Sequence, residues 1–74
     1  MTGMAPLPHL PADPDDDLTA YVGLRAAAAA ERARARGWAT VRTLAPGAIV
    51  TMEYMAGRLN FEAEDGVVRR CWKG

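Results

Sequence analysis

The chain has 74 residues, with nine Lys and Arg against nine Asp and Glu, one His and one Cys. That length allows one domain with a thin core, near the size at which small folds recruit disulfides or metals. Yet one Cys makes no intrachain bridge, Cys71 with His9 offers no zinc ligand set, and the balanced charge gives no global field to recruit nucleic acid or a membrane.

Met1 to Pro14 contains all but one of the prolines and no apolar run long enough for a signal segment or a membrane span. It reads as a flexible tail, in which His9 suggests no chemistry, and a single domain over 15–74 follows. The unpaired Cys and the absence of a signal segment predict a cytoplasmic location, with non-classical export as the alternative.

From Asp15 to Arg36 the pattern is helical. Acids (Asp15, Asp16, Asp17) crowd the start, alanines from Ala26 to Ala30 fill the middle, and Arg32, Arg34 and Arg36 precede a stop at Gly37. Charges so placed oppose the helix dipole, each contributing ~0.3–1 kcal/mol when exposed. Gly23 costs roughly 1 kcal/mol inside a helix, so two versions stand: one helix over 15–36, or a short first helix ending near Gly23 and a second from about Leu24. Ala26, Ala29, Ala30 and Ala33 recur at helical spacing and suit close approach to a sheet, with Tyr21, Val22 and Leu24 supplying bulk. The arginines read as a solvated helix end in preference to a nucleic-acid patch.

After Gly37 the period changes. Trp38 to Leu44 is rich in β-formers, Arg58 to Ala63 alternates, and Val67 to Trp72 follows a Glu64-Asp65-Gly66 turn, giving three short strands and an α+β domain. Leu59, Phe61 and Ala63 can face the helix while Arg58, Asn60 and Glu62 face the other way. Between the first two strands lies GAIVTMEY, Gly47 to Tyr54, bracketed by Pro46-Gly47 and Ala56-Gly57. Periodicity alone allows a fourth strand there; the flanking breakers point to an extended, exposed loop over about 46–57. Cys71 reads as a small buried or edge residue.

The run Gly47, Ile49, Val50, Thr51, Met52, Glu53, Tyr54, with Arg58 four residues on, resembles the reactive-site loop of the potato inhibitor I family of serine protease inhibitors. Arg42, Pro46-Gly47, the TMEY core, Arg58-Leu59-Asn60 and Cys71 are closer still to its microbial elastase-inhibitor branch, peptidase inhibitor family seventy-eight. The resemblance covers residues 38 to 74 well, the helical part loosely and the first dozen residues not at all.

The resemblance implies one main helix packed on a short mixed sheet, with the loop as the crossover between two parallel strands. It implies a protease-binding loop of Ile49, Val50, Thr51, Met52, Glu53, Tyr54 and Met55, with Met52 filling the specificity pocket and Met52–Glu53 as the scissile bond. Arg58 would support the loop by reaching Thr51 or Glu53, at roughly 1.5–3 kcal/mol per charge-assisted hydrogen bond. Asn60 is the second expected loop-support residue, standing where plant-type inhibitors carry a second arginine, and Met55 also replaces an arginine. The branch commonly bridges an N-terminal Cys to the C-terminal one, a partner that Cys71 lacks.

Met suits apolar pockets of medium to large size, as in subtilisin-, chymotrypsin- and elastase-like proteases. The plainer role for Arg58 is a surface ion pair with Glu53 or Glu62. One His in the lead builds no Ser-His-Asp grouping, and with no phosphate loop or metal cluster neither an enzyme nor a cofactor is expected. The alternative function is a non-inhibitory interaction domain on the same scaffold. A monomer or weak homodimer fits either reading.

Overall fold

The computed structural model describes residues 12–50 and 53–74. Its order is a 3-10 turn Leu18–Tyr21, helix α1 Ala26–Ala35, and strands β1 Thr40–Leu44, β2 Arg58–Glu64 and β3 Val67–Lys73. The strands form one mixed sheet with β2 in the centre, parallel to β1 and antiparallel to β3. A parallel pair needs a crossover between its strands, and the segment from 45 to 57 supplies it with no helix among its described residues. Gly47 to Val50 and Glu53 to Tyr54 are not strand, so the loop alternative and not the fourth strand describes those residues.

Of the two helical versions, the divided one is observed. Gly23 takes φ +92°, which no helix accommodates, and its N–H donates to the Val68 carbonyl at 2.8 Å. Leu24 then accepts from Val68 N at 2.9 Å, and Ala26 N donates to Gly66 O at 2.8 Å. The first N–H of α1 is thereby satisfied by the β2–β3 turn and not by a side-chain cap, since Arg25 makes no capping bond. This corrects the role expected of the early acids. No acid lies in the first turn of α1; Asp17 instead caps the 3-10 turn, accepting from Thr19 N at 3.1 Å and from Thr19 Oγ1 at 2.7 Å. The arginines behave as expected, Arg32 and Arg34 occupying the last turn.

The core lies between α1 and the sheet. Ala29 and Ala33 present the small face of the helix to Leu59, Phe61 and Val68, and Tyr21 and Trp38 close the sides. The Tyr21 and Phe61 rings tilt at 40° with centroids 5.4 Å apart, a favourable aromatic geometry. Val22 does not contribute the expected bulk, being 48% exposed beside the Gly23 break.

Asp16, only 4% exposed at its side chain, ties the 3-10 turn to the end of the helix. It accepts from the Tyr21 hydroxyl, from Trp38 Nε1 at 3.0 Å and from Arg36 Nη1 at 3.5 Å. Burial opposes its charge, but these donors and the Asp17 amide outweigh burial and hold its pKa below the ordinary value. Burial and the Asp16 carboxylate push Tyr21 up to about 12.

Asp65 (φ 52°) and Gly66 (φ 78°) make the two-residue β2–β3 turn in left-handed backbone, as the sequence predicted. Two residues further on the register shifts: Ala63 pairs with Val68 but Glu62 with Arg70, leaving Arg69 as the bulged residue. Strict alternation would put Val68 and Cys71 on opposite faces; the extra residue lets both pack on the core. Burial pushes the Cys71 thiol up to about 11, leaving it a weak nucleophile.

Candidate functional site

The β1–β2 connection leaves Leu44, turns at Pro46-Gly47 and projects Ile49 into solvent at 96% exposure. Thr51 and Met52, the expected centre of the loop, lie outside the described residues. Val50 is half-buried and Glu53 exposed, while Tyr54 and Met55 are exposed large apolar side chains.

Beneath the loop the sheet is polar and yet inaccessible. The alternation expected for β2 holds: Leu59 and Phe61 face the helix, and Arg58 and Asn60 occupy the opposite face, 9% and 0% exposed. The Arg58 guanidinium donates to the Gly74 carbonyl from Nε at 2.9 Å and from Nη2 at 2.6 Å, and Nη2 also donates to the Glu53 carbonyl at 2.9 Å. Arg58 thus reaches the loop through main chain and not through a carboxylate, which displaces the surface ion-pair alternative. Glu62 lies instead 3.9 Å from Arg70.

Asn60 bridges the two neighbouring strands. Its Oδ1 accepts from Arg42 Nε at 2.7 Å and its Nδ2 donates to the Trp72 carbonyl at 3.2 Å. A donor on one side and an acceptor on the other fix the amide orientation. The parallel register sets Arg42 directly beside Asn60, and Arg42 lines a cleft of about 180 Å³ with Val50, Glu53, Tyr54, Trp72, Lys73 and Gly74. Asn60 therefore holds Arg42, a side chain that lines the cleft with Val50, Glu53 and Tyr54. Among the described residues, every buried side-chain nitrogen or oxygen has a hydrogen-bond partner.

Gly74 is a bonding partner of Arg58 that the sequence reading missed. Its carbonyl accepts from both Arg58 donors and from Met55 N at 3.4 Å, and its N–H donates to Arg58 O at 3.0 Å. A Cβ there would stand 2.3 Å from Tyr54 Cδ2, and φ is +95°, so close approach and backbone both require glycine. No local signal marks this role, whereas Arg42 already stood among the residues carrying the resemblance.

A further contact comes from the N-terminal side. Asp13 accepts from the Tyr54 hydroxyl and from Gly57 N at 2.9 Å. Those two hydrogen bonds, the Tyr54 one foremost, hold its carboxyl below the usual range, and the Tyr54 phenol is raised by the same bond.

The class these features define is a small α+β domain that holds an exposed apolar connection over a fully hydrogen-bonded polar floor. The sequence profile of the Peptidase inhibitor I78 family matches residues 15–71, and the chain belongs to that family. Membership indicates protease inhibition, with a protease as the partner. No curated protein and no solved structure matches the chain. No helix among the described residues is long and apolar enough to cross a membrane, and no group of three or more His, Cys, Asp or Glu there could hold a metal ion.

Proposed function

We propose that the chain inhibits serine proteases by offering the 46–57 connection as a substrate-like loop, with Met52 in the specificity pocket and Met52–Glu53 as the addressed bond. The observation that carries this reading is the buried Arg58 guanidinium, which links the Glu53 carbonyl to the Gly74 carbonyl directly under the exposed run. A free eight-residue segment would lose roughly 8–16 kcal/mol of backbone entropy on being fixed in a cleft, at about 1–2 kcal/mol per residue. A loop already held loses far less.

Ile49, Val50, Thr51 and Glu53 to Met55 add to the protease cleft as an extended strand through main-chain hydrogen bonds, while the unbranched Met52 enters an apolar pocket. Subtilisin-, chymotrypsin- and elastase-like enzymes offer such pockets. If the bond is cut, the Arg58 tie on the Glu53 side and the β1 anchor on the other keep the new ends adjacent. Religation then competes with release.

The test is titration against subtilisin, chymotrypsin, pancreatic elastase and trypsin, alongside Met52→Lys. The expected result is tight inhibition of one or more of the first three, moving toward trypsin in the variant. Inhibition of none of the four by either form would leave the scaffold to a non-inhibitory interaction role.

A further inference from the structure

Three described residues that precede the family match, or stand at its start, run as a strap from the loop to the helix end. Asp13 accepts from Tyr54 and Gly57, the Pro14 ring lies 3.6 Å from where a Cβ on Gly37 would stand, and Asp16 is held by Tyr21, Trp38 and Arg36. The family match begins at residue 15, so neither Asp13 nor Pro14 belongs to the matched domain. The Asp13 partners lie 41 and 44 residues away in sequence, on the Glu53 side of the loop and at the entry to β2.

This placement complements Arg58. Arg58 pulls the Glu53 carbonyl down from beneath, but its contacts leave the Tyr54 side chain and the Gly57 amide to other partners. One Asp13 carboxylate takes both, one oxygen on each, and so sets the distance between them. The Gly57 carbonyl in turn accepts from Ala39 N at 2.9 Å and from Thr40 N at 3.1 Å, which couples the same residue to the start of β1. The Tyr54 ring rests on Gly74, the acceptor that anchors Arg58. Through Tyr54 and Gly57, Asp13 thus bears on both ends of the floor that holds the loop.

We propose that Asp13 is a positioning residue for the loop, a tie supplied by the N-terminal segment that holds the Glu53–Gly57 flank and slows hydrolysis of the Met52–Glu53 bond. The proposal rests on the inhibitor reading for its consequence, but the tie itself can be read without a protease.

The experiment compares the full chain with Asp13→Ala by amide hydrogen exchange and by the rate at which subtilisin hydrolyses the loop. In the variant the Gly57 amide is expected to exchange faster and the loop to be cut roughly threefold to tenfold faster, the range for losing one or two ordinary hydrogen bonds. The amides of α1 should keep their protection, and Tyr54→Phe added to Asp13→Ala should add little. An unchanged Gly57 amide, an unchanged hydrolysis rate, or exchange that accelerates equally in α1 would each overturn the proposal. A parent chain that inhibits no protease would overturn the inhibitor reading alone, because the exchange and hydrolysis rates still decide the tie.

Discussion

Along β2, Leu59 and Phe61 on one face and Arg58 and Asn60 on the other are all withdrawn from water, but different forces hold them. The apolar pair packs on Tyr21, Ala29, Ala33 and Val68, where attraction is non-directional and another side chain of similar volume would serve. The polar pair is fixed by directed bonds, Arg58 to the Glu53 and Gly74 carbonyls and Asn60 to Arg42 and the Trp72 carbonyl. A directed bond specifies where its acceptor sits. One face of a single strand packs the core, and the other carries the directed bonds on which the proposed positioning of the loop rests.

The widest separation between the two faces should appear in Phe61→Ala. Truncating this fully buried ring should cost about 3–5 kcal/mol in urea unfolding, enough to leave so small a domain marginal. Phe61→Leu should lose much less and keep inhibition per folded molecule unchanged. A change in that inhibition with Phe61→Leu would break the division of labour.

The polar face is sharpened by a double-mutant cycle on Arg42→Ala and Asn60→Ala. Their 2.7 Å bond predicts a coupling of roughly 1–2 kcal/mol in stability, with the loop cut faster in each single variant. Strict additivity would mean that Asn60 does not act through Arg42.

A smaller effect, on the scaffold alone, is expected from Asp16→Asn, at roughly 1 kcal/mol near neutral pH. The Asp16 carboxyl is lowered on folding, so its contribution is present above the unfolded value near ~4 and is lost as pH falls through the folded value. Stability of the parent should fall more steeply than that of Asp16→Asn as pH drops below about 4. Parallel acid limbs in thermal unfolding would remove Asp16 from the account.

What the sequence disclosed was set by short-range chemistry. The Asp65-Gly66 turn, the alternation of β2 and the breakers around the loop all act within a few residues, and each is where the pattern put it, while the break at Gly23 was one of two versions the pattern left open. Asp16 was misread because its acidity fits a helix start, whereas its partner Trp38 is 22 residues away. The Arg69 bulge left no mark because Val67 to Lys73 is β-rich in either register. Arg58 was expected as a loop support through the resemblance, and its observed acceptors, both main-chain oxygens, carry no side-chain signature. The same holds for Gly74, whose role depends on a carbonyl and on the closeness of the Tyr54 ring.

The most direct test of the central claim is the fate of the Met52–Glu53 bond itself, followed by mass spectrometry in stoichiometric mixtures with subtilisin for the parent and for Arg58→Ala. Losing the three donations of Arg58 should free the Glu53 flank at a cost of roughly 2–4 kcal/mol in loop positioning, about 30- to 1,000-fold in rate. The account predicts a parent that stays largely intact while bound and a variant that is cut rapidly at that bond, although it remains folded. Equal cleavage rates for the two proteins, or cleavage of the parent at another peptide bond, would contradict it.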